Sequence, residues 1–370
     1  MTVAVENKRL DLKVQDALLF VGPEFEPPRG GIAQIMHNYK QYLFSPGHFH
    51  YVANSCQGNK LVKLWKLVSS LIIFIADLLA HHGLRIVHIH TASRFSFWRS
   101  ALFVKLARLL GRKVVMHVHG GGFREYYHDG HQQFVKCVLS RCDIVVVLSQ
   151  EWRDFFIKEV ECTKVVVIPN LIAPAESANV SQNLLGGCGK LHLLFLGLIS
   201  DDKGIFDLLQ VMAEHKPELE GKFVLHVAGA GEVDRMYKVV DDCGMTGMVI
   251  YEGWVAGTKK SELFCTCDAL ILPSYYEGLP LSVLEAMTYG MPILATNIGG
   301  IPSVVHDGFN GFLFAPGDKQ AMFVAIDRYV NDKVLCQSMG INSCHLATPY
   351  LPDAVAANLR SLYSTLLLQQ

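Results

Sequence analysis

The sequence predicts an α/β protein of two Rossmann-like parallel-sheet domains facing each other across a cleft. Three observations predict it. Short β-branched runs alternate with helical stretches almost throughout, the pattern of βαβ units and parallel sheets. Some of these runs, such as IVVVL at 144–148, are apolar at every position, as suits strands covered on both faces. And 370 residues exceed one compact core but suit two domains of ~150–200 residues each.

The elements follow in order. Ala17–Val21, Ile86–His90, Lys113–Val118, Ile144–Leu148 and Val165–Ile168 read as buried strands of a first domain, residues 1–172. Residues 173–190 break the rhythm with Pro174, Ser177, Ser181, Gly186, Gly187 and Gly189, so they read as a linker. Leu193–Gly197, Phe223–Ala228, Met248–Glu252, Ala269–Leu272 and Pro292–Ala295 read as strands of a second domain, residues 191–345. Residues 346–370 read as a C-terminal helix that can return to the first domain.

Composition removes several classes. With 51% hydrophobic and 18% charged residues the chain is not disordered. Lys plus Arg number 33 and Asp plus Glu 34, so overall charge gives no argument for nucleic acid. The ten cysteines are scattered, and the close pair Cys265-Thr-Cys267 lacks zinc or CxxC spacing. Free thiols fit a cytoplasmic location. MTVAVENKRLDLKVQ has no apolar h-region and reads as no signal peptide. The run Leu67–Ala80, broken by Asp77, falls short of the ~20 residues a membrane span needs and reads as a buried domain helix. Charge is unevenly spread: residues 41–120 hold ten basic residues and one acidic, so the first half is expected to meet something anionic.

The densest motif lies at 269–317. A strand ends at Leu272, a loop carries Glu277, and Pro280 stands where a helix's first residue would be. Glu285 follows inside that helix, and Gly290 marks its end. Gly278, Leu279 and Leu281 offer amides without intrahelical partners, a ready phosphate site. Lys203-Gly204 leads from a strand into a helix, and Gly30-Gly31 does the same in the first domain. His117 and His119 end a strand before Gly120–Gly122. HGGG also suits an esterase oxyanion loop, but no GxSxG elbow is present. Gly229-x-Gly231 is a partial dinucleotide fingerprint without its third glycine. His88, His90, His117 and His119 alternate along two strands with no carboxylate-rich set beside them, so no metal is expected.

The Glu277-x7-Glu285 pair, its GlyLeuPro and GluAlaMet flanks and the GlyGlyIlePro at Gly299–Pro302 resemble the family 4 glycosyltransferases of the GT-B fold. The resemblance covers roughly residues 17–330. It implies a retaining transferase moving sugar from a nucleotide-diphosphate sugar to a glycan or lipid-linked acceptor, of the bacterial surface-polysaccharide type. It implies that Glu285 holds the ribose, that Glu277 faces the donor sugar, and that Gly278 and Leu279 bind diphosphate together with Lys203, Gly30 and Gly31. It implies that His119 meets a donor hydroxyl and that Trp254 and Val255 meet the base. No cofactor or catalytic metal is implied. The family's usual arginine is replaced by Leu198.

Three other readings stay open. Sugar release from an unactivated glycoside would mark a glycoside hydrolase using Glu277 and Glu285. Conversion of a nucleotide sugar without acceptor would mark an epimerase. Donor binding without turnover would mark a binding module. Aromatics and cations in KLVKLWKLVSSLIIFIADLL and SRFSFWRSALFVKLARLLGRK add an anionic membrane surface to the expected partners and a peripheral position on the inner membrane face to the expected location.

Overall fold

The computed structural model describes residues 9–28, 30–175 and 189–368. The chain divides into two compact units, residues 1–173 with 349–370, and residues 174–348. Residues 176–188, most of the expected linker and including Ser177, Ser181, Gly186 and Gly187, lie outside the described residues.

Each unit is built on a six-stranded parallel sheet. In the first unit these are β1 (Leu18–Pro23), β2 (His50–Ser55), β3 (Ile86–Thr91), β4 (Lys113–Val118), β5 (Ile144–Val147) and β6 (Val165–Val167). They lie in the order β2-β1-β3-β4-β5-β6. The second unit holds β7 (Leu191–Leu196), β8 (Phe223–Ala228), β9 (Val249–Gly253), β10 (Ala269–Leu272), β11 (Ile293–Thr296) and β12 (Gly311–Phe314). Their order is β12-β11-β10-β7-β8-β9. Both orders are those of doubly wound sheets. The winding reverses between β1 and β3 in one and between β7 and β10 in the other, and at such a reversal the loops diverge to leave a ligand crevice.

β2 and β12 are additions to the expected strands, and each is a sheet edge. β2 reads HYVANS and buries only Val52 and Asn54, so it never forms the apolar run that announces a central strand.

The first sheet has two different faces because side chains alternate along each strand. On one face Val87, Ile89, Val114, Met116 and Val145 pack against Phe74, Phe103 and Phe123. On the other, Phe20, His88, His90 and His117 meet Tyr39 of the Gly31–Leu43 helix and Tyr363 of the Pro352–Leu368 helix. That last helix is tied into the first unit: His88 Nδ1 meets the Tyr363 hydroxyl at 2.5 Å, and Arg85 donates to the Leu367 carbonyl at 3.0 Å.

Two local expectations are corrected. Pro280 is the extended residue capping the helix, which runs Leu281–Thr288, so the proline stands one position earlier than expected. The Leu67–Ala80 run belongs to a helix spanning Lys60–Ala80 that buries only Ser70, Phe74 and Leu78. It is covered on one face, not all round. Among the described residues, no helix is long and apolar enough to cross a membrane.

Candidate active site

The second unit gathers charge at its winding reversal. After β7 the chain makes a single 3-10 turn at Asp201–Lys203 and enters helix Ile205–Glu214. Gly204 joins them at φ +69°, and a Cβ there would stand 2.0 Å from the Pro273 carbonyl oxygen. Only glycine permits both the left-handed turn and that approach. The turn therefore presses on the end of β10, and Lys203 Nζ donates to Glu277 Oε1 at 2.5 Å. Ser274 Oγ donates to the same oxygen at 2.9 Å. Both side chains of the ion pair are largely buried.

The backbone carrying Glu277 is backed by Gly299-Gly300. The Gly300 amide donates to the Gly278 carbonyl at 2.5 Å. A Cβ at Gly299 would lie 2.1 Å from the Glu277 carbonyl oxygen, and one at Gly300 2.6 Å from that of Gly278. The GlyGlyIlePro element is thus the support that holds Glu277 and Gly278 in place. Gly229 and Gly231 do similar work behind β7: a Cβ at either would collide with the carbonyl of Gly197 or Ile199.

Eight residues on, Glu285 is buried in helix Leu281–Thr288. Lys260, from helix Gly257–Thr266, donates to Glu285 Oε1 at 2.8 Å. Two carboxylates thus flank the amino-terminal end of one helix, each with one oxygen held by a lysine. A carboxylate accepts about four hydrogen bonds and a lysine donates three, so both pairs keep capacity for a ligand. Leu279 is buried nearby. Trp254 is 53% exposed and Val255 is buried, so of these two the tryptophan is the one open to a ligand. Leu198 is 54% exposed in the loop after β7.

Sequence reasoning missed Lys260 and Ser274. Ser274 stands three residues before Glu277 at the same strand end, and that proximity could have flagged it. Lys260 is 25 residues from Glu285, and only the packed fold joins them.

At the corresponding edge of the first unit, strand β4 leads into His119 rather than into a pair of opposite charges. Gly30 has φ +100° and caps helix Gly31–Leu43. A Cβ at Gly30 or Gly31 would meet nothing within 4 Å, so neither glycine is needed for packing. His88, His90, His117 and His119 stack along β3 and β4 in sequence-alternating pairs, with ring centroids 4.1–5.4 Å apart across the set. His119 Nδ1 meets Asn170 Oδ1 at 3.1 Å. With that oxygen as acceptor, His119 Nε2 is unprotonated and receives the His90 Nδ1 proton at 2.8 Å. Both ring nitrogens of His119 are therefore engaged.

Burial keeps these rings neutral. It pushes His88 and His119 down to about 3, and His90 and His117 well below the ordinary range, with neighbouring imidazoles adding to the effect on His88, His90 and His117. Nitrogens of His88, His90 and His117 come within 4.8 Å of one another, yet the ring planes are only 16–35° apart. Imidazole lone pairs lie in the ring plane, so near-parallel rings do not aim them at one point. The arrangement is a stacked neutral array.

The comparisons agree with this architecture. Residues 30–176 match the family model described as "Glycosyltransferase Family 4", and residues 186–345 match "Glycosyl transferases group 1". An Escherichia coli protein named UDP-Gal:alpha-D-GlcNAc-diphosphoundecaprenol alpha-1,3-galactosyltransferase is 27% identical over 80% of this chain and 78% of its own length. A Klebsiella pneumoniae protein described as an uncharacterized 41.2 kDa protein in the cps region is 22% identical over 78% of this chain and 84% of its own. Among solved structures, sucrose-phosphate synthase from Thermosynechococcus elongatus superposes with a TM-score of 0.76 at 19% identity, covering 95% of this chain and 99% of that one. An Anabaena protein crystallised with UDP gives 0.73 at 18% identity, covering 94% and 99%.

Fold and comparisons together define a glycosyltransferase of the GT-B class. The chain belongs to the family 4-type glycosyltransferases, with a group 1 glycosyltransferase domain as its second unit.

Proposed function

We propose that the protein is a retaining glycosyltransferase whose second unit binds a nucleoside diphosphate sugar. The observation that carries this is the pair of lysine-held carboxylates, Lys203–Glu277 and Lys260–Glu285, on either side of one helix start at the β7/β10 reversal. Glu285 Oε2 takes the ribose diol, with Oε1 already fixed by Lys260. Lys203 and the backbone at Gly278 and Leu279 meet the diphosphate, where charge grows as the leaving group departs. Glu277, fixed by Lys203 and Ser274, faces the donor sugar. Gly30 and Gly31 leave room for a close backbone approach. Trp254 is the proposed base contact, with Val255 buried behind it. His119 is offered to a sugar hydroxyl, and engaging one requires it to exchange its bond to Asn170 or to His90.

The acceptor hydroxyl attacks the anomeric carbon, the bond from that carbon to the diphosphate oxygen breaks, and the hydroxyl proton passes to the departing phosphate. Attack and departure on the same face retain the configuration. The acceptor is proposed to be a lipid-linked glycan used in surface polysaccharide, capsule or lipopolysaccharide synthesis, handled by a cytoplasmic enzyme working peripherally at an anionic membrane. The name of the Escherichia coli relative, which gives a diphosphoundecaprenol-linked acceptor, supports that choice. The first nucleotide to test is UDP, which the Anabaena structure holds.

A thermal-shift screen of UDP, GDP and ADP sugars tests the reading. A ligand at 100 times its dissociation constant stabilises the native state by ~2.7 kcal/mol. One of the three series is expected to stabilise the protein, and no shift from any would refute donor binding.

A further inference from the structure

Two helices of the first unit carry an apolar surface that its core does not use. Helix Lys60–Ala80 buries Phe74 and Leu78 against the sheet. Its opposite stripe, Leu61, Leu64, Trp65, Val68, Ile72 and Leu79, keeps the helical period and is exposed, Leu61 by 76% and Trp65 by 72%. A water-facing stripe is ordinarily polar. The neighbouring helix Phe95–Leu109, joined to the first by the Phe74–Phe103 ring contact at 5.1 Å, exposes Phe95 by 83% and Trp98 by 53%. An exposed apolar stripe like that of the Lys60–Ala80 helix marks an interaction site.

Topology fixes where it lies. β2 ends at Ser55 and its helix starts at Lys60; β3 ends at Thr91 and its helix starts at Phe95. In a parallel sheet both helices therefore begin at the carboxyl edge. Their first turns hold Leu61, Leu64, Trp65 and Phe95 among Lys60, Lys63, Lys66 and Arg94. Gly30 and His119 belong to that same edge, following β1 and β4.

Charge selects the occupant. Of the ten cations in residues 41–120, Lys60, Lys63, Lys66 and Arg94 stand at this edge against Glu24 and Glu26 after β1, while Arg85 and Lys113 stand where β3 and β4 start, at the other edge. Lys60 and Lys63 are exposed, and Lys66 also reaches Glu24 at 3.4 Å. Leucine and isoleucine enter the acyl boundary of a bilayer, tryptophan settles at headgroup level, and lysines reach back to anionic headgroups.

We infer that the first unit seats on an anionic bilayer through the amino-terminal turns of these two helices, with the carboxyl edge of its sheet turned toward the headgroups. The functional sense of the seat, delivery of a lipid-linked acceptor to that edge, rests on the proposed function. The seat itself is a property of this surface.

Vesicle co-sedimentation tests it, using phosphatidylcholine alone and phosphatidylcholine with about a third phosphatidylglycerol. The wild type is expected to bind only the anionic vesicles, more weakly as salt rises. The pair Lys60→Gln/Lys63→Gln should lower partitioning roughly 25-fold at low salt, about 5-fold per charge. Leu61→Ser/Trp65→Ser should lower it at least 10-fold at every salt concentration, and Val334→Ser, a 75% exposed site in the second unit, should leave it unchanged. Unaltered circular dichroism and UDP binding would show that each variant is folded.

Equal binding to both vesicle types, no binding, or wild-type binding by Leu61→Ser/Trp65→Ser would overturn the inference. So would a wild-type dimer that this variant dissolves, since a second copy would then cover the face. Vesicle binding as expected, with no UDP or other nucleotide bound, would leave the seat standing and remove the proposed function.

Discussion

The two sheets use their carboxyl edges in opposite ways. The second unit sets charge against charge, Lys203 with Glu277 and Lys260 with Glu285, in side chains that are mostly buried but keep spare hydrogen-bonding capacity. The first unit lines β3 and β4 with four imidazoles that run up to that edge at His119, and burial strips them of charge. One parallel-sheet plan thus yields buried ion pairs at the strand ends of one unit and buried neutral imidazoles, with the cations out on the flanking helices, in the other. The difference lies in loop residues and in which strand positions carry histidine, not in the fold.

The sharpest way to break this contrast is to remove a charge from the second unit. Glu277→Ala should lower turnover by about 100-fold or more, as for loss of one preorganised polar group, with sugar transfer under saturating donor as the readout. A milder effect, matched by a neutral substitution such as His119→Asn, would mean that the two edges contribute alike.

Lys203→Ala should come next. It removes a charge-assisted contact worth roughly 1.5–3 kcal/mol and leaves Glu277 with Ser274 alone. Titration calorimetry should show donor affinity down by about 10- to 100-fold. Unchanged affinity would release Lys203 from the diphosphate and make it solely a support for Glu277.

Acid should single out the first unit. His88 and His119 sit at about 3 in the fold against an ordinary value near 6.5, so below pH 6.5 the unfolded chain binds more protons than the folded one. This contribution is complete above pH 6.5 and is lost as pH falls toward 3, by up to about 1.4 kcal/mol per pH unit for each histidine. Hydrogen exchange at pH 5.5 and 7.5, corrected for intrinsic rates, should show β3 and β4 losing protection while β10 and β11, which carry no histidine, hold theirs; β7 carries His192, itself lowered by burial, and is not a control. Equal loss in both sheets would mean that the array is not the acid-sensitive element.

The smallest effect is expected at Leu198. Because this side chain is 54% exposed, an arginine there need not be buried unpaired. Leu198→Arg should tighten nucleotide diphosphate binding by about 10-fold, read by calorimetry. No gain would show that Lys203 and the backbone already satisfy the phosphates.

Legibility in the sequence followed the range of the interaction. Glu277 and Glu285 were readable because a strand end and a helix start fall within one short stretch, whereas Gly299-Gly300 was visible only as a motif and its support of Glu277 and Gly278 appears only in the fold. Lys260 was not readable, since its partner lies across the fold. The edge strand β2 escaped because it is not a continuous apolar run; β12 reads GFLF, an apolar run that was passed over because it is only four residues long and opens on glycine. The Lys60–Ala80 helix was misjudged for the opposite reason. Apolar residues on nearly every side hide the amphipathic period, so an exposed stripe reads as buried core. The histidine pairs were visible, but not that His119 already spends both ring nitrogens on Asn170 and His90.

The central claim is that the two carboxylates divide the work, Glu285 holding the nucleotide and Glu277 serving the sugar in turnover. Calorimetric titration of UDP into wild type, Glu285→Ala and Glu277→Ala tests it most directly, with GDP or ADP substituted if the screen selects them. Ribose is held equally in ground and transition states, so its loss should appear in binding. The account predicts affinity weakened at least 10-fold by Glu285→Ala and changed less than about 3-fold by Glu277→Ala. Equal losses from the two substitutions, or a larger loss from Glu277→Ala, would contradict it.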